Sequence, residues 1–575
     1  MLDIIAAKKE TIKSFFEYSR QNPFLIPEYQ RPYEWETPEV VELFNDLRAF
    51  NEDEIAALKN DPEQTESRYF LGSIVYFVND RKQREIVDGQ QRIISIFLLF
   101  RSICERLKTK PRSEVYKHFL EEIEEIIWQT NKFNGKVDDP KKVLITSEAI
   151  SDTEHEIFTT ILATGEADPL ATDFYSRNYL TMRDLIDDLN DEIFTNFVYR
   201  LLNCVILLPI EASTFSATLE IFERLNDRGK QLTDADILKS KIYTSINTDN
   251  RKRFVTRWKM LDERAQIVGE SMHNLFMYYI YYVRAKNKDI RVLEKINLRK
   301  YFLDRNSEAL RDENLMTHLE KILSILLVMK SRQIIDGASW SRNFEIRKCL
   351  DIIWRAPSEW WRYPAIVYYI TNSNQENFDH MFLIFLHKLI AMLSRRYVID
   401  NSTNSIKKPI VNINIRIIDS VHPKFNYRQI DEQKLLKNLR VPRNAIIPTL
   451  LRMIAYEDMS QLTLLPSVWE TDHVYPEAVD KNQSGSTLID QVMQDKIKEI
   501  GNLIPFEKKL KIPASPDYFA KKRAVYKNSK IAMTKKFSDL SKWEPKDISI
   551  RTEMLVQTLL NIWQRWDEEY DSEGK

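Results

Sequence analysis

The run Arg84-Glu85-Ile86-Val87-Asp88-Gly89-Gln90-Gln91-Arg92-Ile93-Ile94-Ser95 decides how the first half of this chain is read. An apolar strand signal ends in Asp-Gly, and Gln-Gln-Arg then opens an amphipathic helix reading Ile93, Ile94, Ile96, Phe97 and Leu98. The first N–H groups of such a helix lack intrahelical partners and favour an anion in front of them. Arg92 adds a planar fork suited to phosphate. Asp88 is then placed to hold a metal ion or a water beside that anion. The same residues also fit a plain junction, with Asp88 as N-cap, Gly89 as turn residue, and Gln90, Gln91 and Arg92 as a solvated first turn.

Working outward, Tyr69 to Val78 is β-branched and aromatic, and Asn79 to Gln83 supplies a turn, so a hairpin is expected to deliver Asp88 to its end. Residues 1–20 read as helix. The prolines Pro23, Pro27 and Pro32 then force an extended path through Ile26-Pro27-Glu28-Tyr29-Gln30-Arg31-Pro32-Tyr33-Glu34-Trp35. Within it Gln30 and Arg31 have little backbone freedom. Tyr29, Tyr33 and Trp35 also suit a packing lid, with Arg31 stacked on a ring. A helix is expected at Thr37 to Phe50, an acidic loop from Asn51 to Ser67, and charged helices alternating with polar loops over residues 111–195. The run of Glu121, Glu122, Glu124 and Glu125 reads as a solvated helix face, and Cys204 to Ile210 suits a buried strand. In Phe222-Glu223-Arg224-Leu225-Asn226-Asp227-Arg228-Gly229, Gly229 can turn the chain at a helix end and leave Asn226 facing the turn. Thr233-Asp234-Ala235-Asp236 caps the next helix, Ile237 to Tyr243.

With 575 residues, 43% hydrophobic and 29% charged, the chain suits two to four domains, and only 10 glycines argue for helices over a loop-rich β protein. A net charge of -1 means that any nucleic-acid site is a local patch. Cys104, Cys204 and Cys349 are far apart with no Cys-x-x-Cys pair, which fits a reducing cytoplasm and excludes a zinc ribbon. The N-terminal residues lack a basic n-region and an apolar core, and the longest apolar-looking runs, Leu275 to Val283 and Phe382 to Leu393, are short or interrupted. A soluble cytoplasmic protein with no membrane partner is expected. Residues 250–455 read as helix, with breaks near Asn287, Ser341, Pro357, Asn372 and Asn401. There Trp354, Trp360, Trp361, Tyr363, Tyr368 and Tyr369 read as helix–helix core rather than a cage for a modified base.

At the C-terminal end, Val468-Trp469-Glu470-Thr471-Asp472-His473-Val474-Tyr475-Pro476 is a strand-like run stopped by proline. Glu499-Ile500-Gly501-Asn502-Leu503-Ile504-Pro505-Phe506 gives a second strand, and a helix follows at Asp517 to Asn528. Strand, loop, strand, helix is the order of a ββα-metal (HNH) nuclease finger. His473 would be general base on water, Asp472 would hold a divalent metal, and Asn502 would orient the histidine. A capped or packed histidine gives the same pattern. Pro505 to Lys546 carries 12 Lys/Arg against 4 Asp/Glu, a stripe suited to DNA phosphates through Lys508, Lys509, Lys511, Lys521, Lys522 and Arg523.

The three N-terminal motifs, in this order, resemble the N-terminal domain of the GmrSD-type restriction endonucleases, which act on modified DNA, and of related SspE-like proteins that sense phosphorothioated DNA. The resemblance implies a ParB-like α+β domain that binds and hydrolyses a nucleoside triphosphate. Gln30, Arg31, Asp88, Gly89, Gln90, Gln91, Arg92, Asn226 and Gly229 would lie at the nucleotide and Asp88 at its metal. His-x-x-Pro, Ile-Gly-Asn-Leu, the run Lys521 to Ser529 and the spacing of Trp543, Ile548, Arg551 and Leu555 resemble the C-terminal nuclease domain of the same family. The expected architecture is therefore mainly α with small α/β parts: a ParB-like domain at 1–245, a helical middle at 246–455 and an HNH-like domain at 456–575. Mg²⁺ or Mn²⁺, a nucleoside triphosphate and double-stranded DNA, modified or not, are the implied cofactors and partners. A homo-oligomer or a separate defence subunit is compatible with all of this. Two departures stand out. Lys511 occupies the place of a family asparagine that contributes to the metal site, and an ammonium repels Mg²⁺. Pro505-Phe506 replaces Leu-Leu. The nuclease is then weakened, uses another ligand such as Glu507, or has lost cleavage, and in the last case the chain is a nucleotide-gated DNA sensor with a degenerate nuclease that signals to an effector.

Overall fold

The computed structural model describes residues 6–17, 22–61, 66–79, 81–110, 113–131, 135–148, 152–213, 217–218, 221, 233–292, 295–425, 430–475, 495–510 and 518–573. They fall into two compact units, Met1–Asn247 and Thr248–Lys575. The chain is mainly helical, with a small mixed sheet in the first unit and a two-stranded sheet in the second.

In the first unit the strands are β1 (Ala6–Ala7), β2 (Glu10–Thr11), β3 (Phe24–Ile26), β4 (Tyr69–Val78), β5 (Arg84–Asp88), β6 (Ile145–Ser147) and β7 (Val205–Glu211). Their order is β1-β7-β4-β5-β3-β6, with β2 also on β7. The helices are α1 (Ile12–Glu17), α2 (Thr37–Asn60), α3 (Gln90–Lys108), α4 (Glu114–Ile127), α5 (Asp152–Thr164), α6 (Phe174–Asp187), α7 (Asp191–Asn203) and α8 (Asp234–Ser245). The expected β4–β5 hairpin is present and antiparallel, and β7 runs parallel to β4. Thr233 caps α8 by accepting from the Asp236 N–H. Helix α3 is enclosed rather than amphipathic: Ile93, Ile94, Ile96, Phe97, Leu98, Leu99 and Phe100 are all buried at the centre of one apolar cluster. Each such side chain contributes about 1.5–3 kcal/mol on leaving water.

Two expectations fail here. Residues 1–20 are not one helix, because β1 and β2 exist through antiparallel pairing with β7, information that local propensity does not carry. The stretch after Phe50 is not loop, since α2 continues to Asn60. Its Glu, Ala and Leu residues are good helix formers. Asn51 reaches the Ile193 carbonyl at 3.3 Å, and the buried Glu54 carboxylate lies 3.7 Å from Arg200.

The second unit begins with α9 (Thr248–Ile267), α10 (Met272–Lys286), α11 (Leu315–Ser331), α12 (Phe344–Trp354), α13 (Arg362–Asn372), α14 (Phe378–Asp400), α15 (Asn404–Asp419), α16 (Glu432–Arg440) and α17 (Ile447–Glu457). Trp360, Trp361, Tyr363, Tyr368 and Tyr369 are core, as expected, and half-buried Trp354 stacks under the Arg362 guanidinium at 3.7 Å. Strands β8 (Glu470–His473) and β9 (Leu503–Phe506) follow, then α18 (Tyr518–Tyr526), α19 (Ala532–Lys535) and α20 (Pro545–Glu573). Among the described residues no helix is long and apolar enough to cross a membrane.

Candidate functional site

In the first unit, β5 carries Asp88 to the threshold of α3. Gly89 makes the turn with φ of 88°, in the left-handed region. A Cβ there would lie 2.4 Å from Ile74 Cδ1 and 3.3 Å from the Ser73 carbonyl, so conformation and space both demand glycine. In the first turn of α3, the Arg92 Nη1 donates to the Ser73 carbonyl at 2.9 Å. Its guanidinium lies over Gly72, where a Cβ would come within 2.9 Å of Cζ. Burial raises the Asp88 pKa and lowers that of Arg92, and in each the other's charge opposes the shift. Sequence reading overlooked Gly72, whose only signal is a glycine inside a strand.

The three glutamines do different work from Arg92. Gln30 Nε2 donates to the Val87 carbonyl at 3.1 Å, and Gln90 Nε2 to the Arg31 carbonyl at 3.1 Å. Gln91 donates to the Pro32 carbonyl at 2.9 Å and accepts from the Glu34 and Trp35 N–H groups at 2.8 and 3.2 Å. Their amides stitch the proline-rich segment to the end of β5 and the start of α3. Arg31 lies 3.5 Å from Asp236 and 3.7 Å from Glu34. Asn226 and Gly229 lie outside the described residues. The junction thus offers an anion the positive end of α3 and a half-buried guanidinium held in place. Asp88 repels such an anion unless a cation or a proton stands between them.

In the second unit, β8 and β9 pair antiparallel, with Asp472 opposite Ile504 and His473 opposite Leu503. Val474, Ile504, Phe506, Tyr526 and Phe537 form a small core between this ribbon and α18. Successive strand residues face opposite sides, so Asp472 turns inward while His473 is half-buried on the other face. The ββα order is therefore realised, but Asp472 and His473 do not form one side-chain pair.

Lys522 corrects the sequence reading. Expected on a DNA-facing stripe, it is fully buried, forms an ion pair with Asp472, and donates to the His473 carbonyl at 2.8 Å. The ammonium pairs with the carboxylate that was expected to hold a metal ion. Among the described residues no group of three or more His, Cys, Asp and Glu could hold a metal, and residues 476–494 and 511–517 lie outside the described ones. Glu507 is engaged too, accepting from the Ser529 hydroxyl at 2.8 Å and the Lys530 N–H at 2.7 Å. Lys511 lies outside the described residues.

Asn502 does not orient the imidazole through its amide. Its Oδ1 accepts from the Tyr475 N–H at 2.7 Å, and its Nδ2 donates to the Tyr475 and Ile497 carbonyls at 3.0 and 2.9 Å. The chain just after His473 is thereby fixed. Arg551 of α20 braces the same turn by donating to the Gly501 carbonyl at 2.5 Å and the Leu503 carbonyl at 2.9 Å. Burial pushes its pKa down to about 9. Gly501 is packed against α20 so tightly that a Cβ would lie 2.2 Å from the Ile548 carbonyl oxygen. Upstream of β8, Arg452 lies over the Trp469 ring at 4.8 Å and 3.0 Å from buried Asp351. Asp351 also accepts from Arg332 at 2.7 Å and from the Tyr456 hydroxyl at 2.6 Å. Burial works against the Asp351 charge, yet Arg452 and Arg332 hold its carboxyl below the usual range. Sequence reading assigned none of these groups, because they converge from the residue that ends α11, from α12 and from α17.

Of the other basic residues, Lys508, Lys509, Lys521 and Arg523 are exposed, and Lys508 lies 3.3 Å from Glu470. Two family models match the chain in this order: the GmrSD restriction endonuclease N-terminal domain over residues 12–243 and the GmrSD restriction endonuclease C-terminal domain over residues 425–558. Together they cover well over half of the sequence. The chain belongs to the GmrSD restriction endonuclease family. No curated protein matches it. The GmrSD N-terminal model takes in the whole Asp88–Arg92 junction with its glutamine stitches, and the C-terminal model takes in His473, Asn502, Lys522 and Arg551.

Proposed function

We propose that this chain is a cytoplasmic anti-phage restriction protein that binds and hydrolyses a nucleoside triphosphate in its first unit and cleaves or nicks DNA, modified or not, in its second. The observation that carries the reading is the occurrence of both GmrSD restriction endonuclease domains, in order, on a chain whose second unit holds a ββα element bearing His473. In the first unit, Arg92 and the start of α3 bind the phosphates, Gly72 leaves room for the Arg92 guanidinium, Gly89 makes the turn into α3, and Gln30, Gln90 and Gln91 keep the junction rigid. In the second, His473 takes the proton of the attacking water. Asn502 and Arg551 fix the turn behind it, and Lys508, Lys509, Lys521 and Arg523 meet DNA phosphates.

A second reading, an NTP-gated DNA sensor that has lost cleavage and signals to an effector, is favoured by the Lys522 ammonium on Asp472. One experiment separates the two: nicking of supercoiled plasmid and of phage DNA carrying modified bases, with Mg²⁺, Mn²⁺ or EDTA and with each NTP. His473→Ala and Arg92→Ala run beside the wild type. Nicking lost in His473→Ala establishes the nuclease, and NTP turnover lost in Arg92→Ala establishes the first site. Turnover with every DNA intact selects the sensor. Nicking that survives in His473→Ala refutes its assignment as the base, and turnover that survives in Arg92→Ala refutes the phosphate site.

A further inference from the structure

Between the end of α14 and the length of α15 from Asn404 to Arg416 lies a cavity of about 510 Å³, and apart from Phe425 its lining lies outside both matched domains. Arg396, Lys408 and Arg416 line it against a single carboxylate, Asp400. Asp400 is 3.7 Å from Lys434, which does not line the cavity, so part of its charge is answered elsewhere. Arg416 donates one N–H to the Lys424 carbonyl at 2.6 Å, a neutral partner that fixes the guanidinium without cancelling its charge. The remaining wall is mixed. Met392, Ile413 and Phe425 give it an apolar side, and Asn412 supplies an amide. Pro409 stands within α15 and has no N–H to offer the Ser405 carbonyl one turn earlier, which leaves that acceptor without its usual helical donor.

We propose that this cavity binds a nucleotide through a phosphate monoester, with the phosphate at Lys408 and Arg416 and the base against Phe425. A monoester carries a charge of about -1.5 to -2 at neutral pH, which matches the cationic excess of the lining. An internal DNA diester carries only one. The volume lies within the range of about 300–1,000 Å³ typical of small-molecule sites, and an apolar wall with a few placed polar groups is their usual composition. Two sources offer this chemistry, a free mononucleotide and the 5′-phosphate end of a DNA strand. The inference stands apart from the Asp88–Arg92 reading, since no residue is shared.

The test is calorimetric titration of the full chain in an Arg92→Ala background, which silences the other candidate phosphate site. The probes are deoxyadenosine monophosphate and deoxyadenosine. Binding of the monophosphate, with deoxyadenosine at least about tenfold weaker, is expected. Adding Lys408→Glu, an exposed position, should weaken the monophosphate about tenfold or more, and adding Asn412→Leu should weaken it with thermal melting unchanged. Equal binding of the two probes, no binding, or indifference to Lys408→Glu overturns the proposal. Oligonucleotides with and without a 5′-phosphate then assign the source. A preference for the phosphorylated end that Lys408→Glu removes points to DNA ends, and no preference points to the free nucleotide.

Discussion

Replacing Lys522 by methionine removes the ammonium but keeps most of the side-chain volume at a position with no solvent exposure. Asp472, itself only 5% exposed, is left as a buried carboxylate without its cation, and the His473 carbonyl loses a donor. Breaking a buried pair from one side costs about 3–5 kcal/mol, most of it the uncompensated charge. A single stability for a chain of two units is ill defined, so the readout is local: hydrogen exchange of peptides covering β8 and β9. A loss of that size speeds exchange there roughly 10²- to 10⁴-fold, up to the rate of the wholly open chain. In the double variant Asp472→Asn, Lys522→Met both charges are gone, and protection should return most of the way. If exchange in β8 changes by less than about threefold in Lys522→Met, the Lys522–Asp472 pair does not hold β8 in place.

Gly501→Ala places a methyl group 2.2 Å from the Ile548 carbonyl oxygen and 2.6 Å from the Thr552 nitrogen. Both are helix backbone and cannot yield. A destabilisation of at least about 1–3 kcal/mol is expected, read as faster exchange in β9; wild-type exchange refutes the packing. His318 sits against Tyr279 and Tyr282, and burial depresses its pKa to about 4 from the usual 6.5, with Asp312 opposing the shift. The unfolded chain takes up this proton more readily between those values, so the stability that neutral His318 permits is lost as pH falls from about 6.5 to 4. His318→Gln should flatten that acid limb in the protection of α10 and α11 peptides, read by hydrogen exchange at pH 7 and pH 5 after correction for the intrinsic exchange rate, and an unchanged slope refutes the assignment.

The sequence by itself determined the elements whose signals are local. The hairpin ending at Asp88 is written in β-branched residues, a polar turn and Asp-Gly, and the α8 cap in Thr233 and Asp236. The strand carrying His473 is written in its flanking proline and apolar neighbours, and the helical second unit in composition. Only the tertiary structure decided what was not local. Strands of two or three residues such as β1, β2 and β6 have no pattern of their own and form because a partner strand presents its edge. The amides of Gln30, Gln90 and Gln91 were legible as polar groups in a constrained place, but which carbonyls they reach depends on the approach of segments some 57–59 residues apart. Lys522 reads as one of three basic residues in a row, and Lys521 and Arg523 are exposed. It is buried because α18 turns that one position onto β8, where a carboxylate 50 residues earlier in the chain compensates its charge. Charge along a sequence says that a residue prefers water; only the fold supplies the partner that lets it leave.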